Sequence, residues 1–415
     1  MSTAVEDIKK IAPNATKQVF KTMQMNIGPQ HPATHGTLRL KCEVDGEIVV
    51  KVEPEIGFLH TGFEKLGEYR NYNQFVVISD RMNYLSPLNN NIGFAIACEE
   101  LFNVTVPTRG QYIRVIMAEL SRIADHVVSV GLQGMDLGAF SVMLWTFIER
   151  EKLYDIFESV TGARLTTSWT RVGGVFRDVP ADFPELVNGF LAKFPAVVDE
   201  IEYMLNKNKI FMDRTIGVGA VSKEDAISFG VTGPLLRASG VAYDIRKAKP
   251  YLCYNELNFD VPTRIEGDVY ARYQVRLAEM RESIKIVRQA LEKLPGGGAN
   301  TEKLPVNSVN HKVALPTKDM VYHDMESLIH HFKITMPGHG LIPPKGEVYS
   351  STETPNGELG FYLVSDGTGL PYRVRIRPPS YYNYATFPQQ AAGRLISDAV
   401  ACMASINVIA GELDR

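Results

Sequence analysis

The chain is short of the residues that build metal and redox centres. Its 415 residues include four cysteines, at positions 42, 98, 253 and 402. None lies near another, so the sequence offers neither a disulfide framework nor a CxxC metal or redox pair. A chain that held an iron–sulfur cluster would need clustered thiolates. Each cysteine instead reads as a small buried hydrophobe in a reducing compartment. Long apolar runs are missing as well: every apolar window is cut by charge before the ~18 residues that a membrane span needs. Charge of one sign is also lacking, since 44 Lys and Arg stand against 47 Asp and Glu, a net charge of −3. That balance excludes a basic nucleic-acid face and an acidic tail. The opening "MSTAVEDIKKIAPNATKQVF" has no apolar signal core and carries acids that a transit peptide avoids. A soluble or membrane-peripheral protein is predicted. Internal repeats and low-complexity tracts are absent too.

What is present is a small sheet followed by helices. Residues 1–20 read as an arm. "MQMNI" (23–27) alternates, as does "LRLKCEV" (38–44), with Leu38, Leu40, Cys42 and Val44 on one face. Asp45-Gly46 is a hairpin turn, and Ile48, Val50 and Val52 form the answering face. Helical signals dominate from about 70 to 293. Ile113, Ile116, Met117, Leu120, Ile123, Ala124 and Val127 share a stripe, Phe140 to Val160 reads as helix, and Asp268 to Lys293 keeps a 3.6-residue apolar period up to "LPGGG". The stretch 182–206 predicts two helical pieces broken at Pro195. "GELGFYLVSDGTGLPYRVRIRPP" predicts a hairpin about Asp366-Gly367, followed by a helix in "AAGRLISDAVACMASINVIAG". The divisions expected are 1–20 arm, 21–68 sheet, 69–294 helical bundle and 295–415 C-terminal region.

Four constellations carry chemistry. "GPQHPATHG" (28–36) sets His31 and His35 on a stiff loop between the first two strands. Pro32 and Gly36 argue against a helical zinc pair, and no further ligands are evident. Either the loop presents an imidazole into a cavity as a proton and hydrogen-bond donor, or its histidines bond to backbone. "SDRMNY" (79–84) allows a buried Asp80–Arg81 ion pair, or a Tyr84 phenol facing a cavity. "GLQGMDLGAF" (131–140) interrupts a helical region around Asp136, which is either solvated in an interhelix loop or orients a histidine. "GVTGPLLRASGVAYDIRK" (230–247) lacks the GxGxxG and GKS/T patterns, so NAD bound by this chain is not expected.

Together, "GPQHPATHGTLRL", "GFLHTGFEK", "DRMNY", "GAR", "GVTGPLLRASG", "GDVYARY", "YLVSDGTGLPYR" and the final "GELDR" resemble one family, from about residue 22 to the end. This is the quinone-site D subunit of bacterial complex I (NADH:quinone oxidoreductase). The resemblance implies a fold that is mainly α with a small antiparallel β part, a multihelical bundle like the [NiFe] hydrogenase large subunit. Those enzymes hold nickel with CxxC pairs near both chain ends. "GFLHTGFEK" and "GELDR" stand at the corresponding places without cysteine, so no metal ligand is expected here. The resemblance implies that His35 and Tyr84 hydrogen-bond the two quinone carbonyls, that Asp136 pairs with His35, and that His31 belongs to the same pocket. It places Arg81 and Arg164 near an iron–sulfur cluster held by a neighbouring subunit, with NAD bound by another.

The implied partners are the cluster-bearing B subunit, the C subunit, the ferredoxin-like I subunit and the membrane H subunit. The implied location is peripheral, on the cytoplasmic side of the inner membrane. Two positions depart from many members: Thr61 stands where they have Arg, and Thr166 where they have His. Other readings stay open at this point. They are a related complex fed by ferredoxin or another donor, a hydrogenase-like subunit of a non-quinone complex, and a scaffold that touches no substrate.

Overall fold

The computed structural model describes residues 22–34, 36–296, 304–336 and 340–415. The expected arm and His35 lie outside the described residues. Strands β1 (Met23–Ile27), β2 (Arg39–Asp45) and β3 (Ile48–Glu55) form an antiparallel sheet in that order. Asp45 pairs with Ile48, so the hairpin turns on Gly46-Glu47, where Gly46 takes φ 61°. Leu38, Leu40, Cys42 and Val44 are buried as their alternation predicts. The answering face differs: Val49 and Val52 are buried, while Ile48 and Val50 are exposed. A bulge at Glu43/Val44 pairs Val44 with Val49 and leaves Val50 without a direct partner, which reverses the alternation there.

The longer helices are α1 (Pro87–Phe102), α2 (Thr108–Asp136), α3 (Phe140–Thr161), α4 (Phe183–Asn206), α5 (Val269–Glu292), α6 (Met325–Thr335) and α7 (Ile396–Ile406). Helix α2 is the axis, with α1, α3, α5 and α7 packed around it. Its predicted stripe from Ile113 to Val127 is buried. The predicted interruption at 131–140 falls late in that stretch: α2 runs on through Gly131 and Gly134 to Asp136 and breaks at 137–139. A Cβ on Gly131 would collide with the Thr146 side chain of α3, and Gly134 faces Val142 and Leu205. These glycines permit close helix packing, and the connection to α3 shrinks to residues 137–139.

Helix α4 also runs on where a break was predicted, with Pro195 inside it. Proline removes the N–H that would reach the carbonyl four residues back. Here the Arg288 guanidinium of α5 donates to that carbonyl, Leu191 O, at 3.0 Å, so the orphan is satisfied and the helix persists.

A short ribbon pairs β4 (Thr170–Arg171) with β5 (Gly174–Val175), and a three-stranded sheet of β6 (Gly346–Thr354), β7 (Gly357–Ser365) and β8 (Arg373–Arg377) precedes the C-terminal helices. The predicted hairpin is present, with Val364 opposite Arg373 and Asp366-Gly367 in the connection. Strand β6, not foreseen, covers the other edge of β7 through a tight turn at Pro355-Asn356. The protein is thus mainly helical with small antiparallel sheets. One apolar core joins α2 to α5; a second lies between the N-terminal sheet and α7, and a third between α1 and β6–β8. Among the described residues no helix is long and apolar enough to cross a membrane.

Candidate functional site

The loop between β1 and β2 is pinned by Thr34. Its hydroxyl donates to His31 O at 2.9 Å, and its side chain is fully buried. His31 itself is exposed, and its Nδ1 accepts from the Ala33 N–H at 3.2 Å. It borders an open groove of about 740 Å³ between residues 25–31 and Ile396 and Val400 of α7.

Tyr84 sits in the turn between the helix Tyr72–Ser79 and α1, and Asn83 holds that turn. The buried Asn83 Oδ1 accepts from the N–H of Leu85 at 3.1 Å and of Ser86 at 3.3 Å. Its Nδ2 donates to Asp125 of α2 at 3.1 Å, and Asn90 Nδ2 donates to its carbonyl at 3.0 Å. Tyr84 is half-buried, and burial followed by the Asp125 charge pushes its phenol above the ordinary range. It therefore stays a protonated donor at neutral pH.

The chain's last residues close over this turn. In the helix Ala410–Asp414, a Cβ on Gly411 would meet the carbonyls of Arg81 at 2.5 Å and Met82 at 2.8 Å, so only glycine allows the contact. The Asp414 carboxylate accepts from the N–H of Gly57 at 2.9 Å and of Leu59 at 2.7 Å, and His60 Nδ1 lies 2.8 Å from Asp414 O. The two motifs without cysteine, "GFLHTGFEK" and "GELDR", thus meet in space.

Asp136 is the last residue of α2 and is partly exposed. It stands about three turns, roughly 16 Å, along the helix from Asp125. The carboxylate whose charge bears on Tyr84 is Asp125, an acid set inside the apolar stripe of α2.

The predicted Asp80–Arg81 ion pair does not form. Asp80 is fully buried and Arg81 exposed. One Asp80 oxygen accepts from the Ser168 N–H at 2.9 Å and from the Ser168 hydroxyl. Burial outweighs these bonds and pushes the Asp80 carboxyl up to about 6. Ser168 takes φ 42°, a strained conformation that the two bonds hold. This clamp brings the 164–168 segment, with Thr166, against the turn that carries Arg81. Arg164 lies on the outer face of α3, paired with Glu151, with Asp155 at 3.3 Å and with Glu158 at 3.6 Å. Thr61 is exposed beside His60.

A buried charge network around α2 was not foreseen. Arg237 donates to Glu279 at 2.7 Å and to Glu353 at 2.8 Å. His126 Nε2 lies 2.9 Å from Glu279. Burial holds this histidine below its ordinary range, so it is neutral at pH 7 and donates to the carboxylate. Glu119 takes Arg246 at 3.0 Å, the Tyr254 hydroxyl at 2.6 Å and Ser283 at 2.7 Å. Helical charges usually face water, and only a second polar period on α5 (Arg272, Arg276, Glu279, Ser283) hinted otherwise. Among the described residues no group of three or more His, Cys, Asp or Glu side chains is placed to hold a metal ion.

Residues 136–415 match the family described as "Respiratory-chain NADH dehydrogenase, 49 Kd subunit". The D subunit of the NADH-quinone oxidoreductase of Geotalea uraniireducens is 49% identical over 393 residues, which is 95% of this chain and 98% of the relative. A D subunit of the same kind of enzyme from Chloroflexus aurantiacus is 49% identical over 395 residues, 95% of each chain. Another, from Chloroherpeton thalassium, is also 49% identical over 395 residues, 95% of this chain and 88% of the relative. With a family match over 136–415 and near-half identity along almost the whole chain, the protein belongs to the family of the 49 kDa subunit of respiratory-chain NADH dehydrogenase, which includes the D subunits of bacterial NADH-quinone oxidoreductases.

Proposed function

We propose that this chain forms the quinone headgroup pocket of a proton-translocating NADH:quinone oxidoreductase and is inactive alone. NADH is oxidised on another subunit, and the electrons arrive from an iron–sulfur cluster in a neighbouring one. Reducing a quinone to a quinol takes two electrons and two protons. The observation that carries the reading is Tyr84: a half-buried phenol, kept protonated beside Asp125, on a turn locked by Asn83 and Gly411. Such a fixed donor binds a carbonyl oxygen and stabilises the negative charge that develops there. His35 serves the opposite carbonyl, Asp136 is its acidic partner, and His31 lines the approach. Arg81 and Arg164 face the partner's cluster. Arg164 shares its charge with three carboxylates, so the exposed Arg81 supplies more of the field.

Apolar side chains exposed on α3 (Phe140, Leu144, Trp145, Ile148) and α6 (Met325, Leu328, Phe332) fit a chain that buries surface against other subunits. The partners in this reading are the B, C, I and H subunits, at the cytoplasmic face of the inner membrane. Tyr84→Phe in the assembled complex tests it. Losing one preorganised donor costs about 2–4 kcal/mol, so quinone reduction should fall by roughly 30- to 10³-fold. Electron transfer from NADH to a soluble artificial acceptor should persist, because that path ends upstream. Equal loss of both activities would assign Tyr84 to assembly instead.

A further inference from the structure

Ser168 stands just before strand β4, and charged side chains take up all its hydrogen-bonding groups. One oxygen of Asp80 accepts from its N–H at 2.9 Å and from its hydroxyl. Its carbonyl accepts from the Arg171 guanidinium, and the Arg171 charge favours the ionised form of Asp80. Together these bonds hold Ser168 at φ 42°, in the left-handed region that a serine rarely adopts. Strain of this kind persists where the surroundings over-determine it, and it gathers at functional sites.

The ribbon that follows Ser168 has anchors of its own. Arg114 of α2 donates to Arg171 O at 2.9 Å and to Gly174 O at 2.7 Å, and pairs with Glu99 of α1 at 2.6 Å. Glu99 also accepts from the Gly173 N–H at 2.8 Å. Strands β4 and β5 are therefore fixed to α1 and α2 without Asp80. What Asp80 adds is a link in the other direction. It caps the C-terminus of the helix Tyr72–Ser79 and opens the turn that Asn83 locks and Tyr84 occupies. The contact with Ser168, 88 positions away in sequence, joins that turn to the segment carrying Arg164 and Thr166.

We propose that Asp80 is a positioning residue for quinone reduction, an inference that rests on the quinone-site reading above. Through Ser168 it fixes where the Tyr84 turn stands relative to the 164–168 segment, which that reading turns toward the partner's cluster. Asp80 itself touches neither quinone nor cluster. It holds the phenol that meets the developing charge and the chain that borders the electron donor in one frame. A quinone bound to Tyr84 then keeps one geometry toward the cluster through both electron transfers.

The test uses the assembled complex, with each rate taken per cluster spin counted by electron paramagnetic resonance. Asp80→Ala removes both bonds to Ser168. Quinone reduction should then fall about a hundredfold, the scale of a misplacement of roughly 1 Å. The midpoint potential of the partner's cluster, titrated on the same signal, should shift as well. Asp80→Asn keeps an oxygen for the Ser168 N–H and should restore most of the rate and the wild-type midpoint. Asp80→Ala combined with Ser168→Gly guards against a folding defect. Glycine adopts a positive φ without strain, so this double variant loses the strain together with the residue that holds it, and it should assemble. It should stay as slow as Asp80→Ala, with the same shifted midpoint. A double variant with the wild-type rate and midpoint overturns the proposal, because Asp80 would then serve only to hold a strained serine. Asp80→Asn as slow as Asp80→Ala overturns it too, because the bonds would remain and only the charge be gone. Tyr84→Phe, measured alongside, separates the proposal from the reading beneath it. If Tyr84→Phe is slow and the double variant normal, only the positioning role is lost. If Tyr84→Phe is normal, the quinone-site reading fails and the proposal with it.

Discussion

At the scale of single residues, the buried arginines set the energetics. Arg237 has no exposed surface and stands between Glu279 and Glu353, with Asp244 at 3.8 Å. Removing one member of such a set leaves charge stranded in a medium that solvates it poorly. Arg237→Met should therefore destabilise the purified chain by about 3–5 kcal/mol in a denaturant titration. Glu279→Gln keeps the shape and a hydrogen-bonding oxygen for Arg237, so its cost should be smaller. If Arg237→Met proves as stable as wild type, the network contributes nothing to the fold. Arg237 was on view in "GVTGPLLRASG", yet its role was not legible there. Its partners stand at 279 and 353, and no local spacing reports a meeting across that distance. Asp125 escaped for a related reason: within a helical apolar stripe, an acid reads as an exception until Asn83 and Asn407 are seen to bond both its oxygens.

At the scale of elements, periodicity gave the helices and misjudged their ends. The stripe of α2 and the hairpin that turns on Gly46-Glu47 follow from local rules that tertiary contacts did not override. Where such readings fail, at Pro195 and at Val50, a partner on a neighbouring helix or strand changes what a residue means. Pro195 is the clearest case, because Arg288 takes the carbonyl that proline leaves free. Arg288→Ala should strand that carbonyl and cost about 1–3 kcal/mol. Pro195→Ala in the same background restores an N–H for Leu191 O and should recover much of the loss. The two substitutions are then non-additive, as expected for groups that share one acceptor. Additive effects in urea titrations would mean that the helix tolerates Pro195 without Arg288.

At the scale of the whole molecule, the resemblance paired the motifs at 57–65 and 411–415 as counterparts of one cavity, and Asp414 does bond Gly57 and Leu59. The buried acids Asp80 and Glu412, whose carboxyls are pushed up, were not legible, since burial leaves no mark in sequence. They imply a pH dependence of stability. The folded chain holds Asp80 at about 6 and Glu412 at about 8, above the ordinary 3.8 and 4.5. Over those intervals the unfolded chain has already released these protons while the folded chain keeps them. Their contribution is full below the ordinary values, is lost as pH rises, and is gone above about 6 for Asp80 and about 8 for Glu412. His126 and Glu279 act in the opposite sense. Both are held below their ordinary values, so their contribution is present above 6.5 and 4.5 and is lost as pH falls. Between about pH 6.5 and 8 the shifted groups named here leave Glu412 dominant, with a slope on the order of 1 kcal/mol per pH unit. Thermal unfolding of the purified chain should therefore show a midpoint that declines across this interval and levels off beyond it. Glu412→Gln cannot lose a proton, so its midpoint should stay level where the wild type declines. A decline of equal steepness in both would show that Glu412 is already ionised in the folded chain.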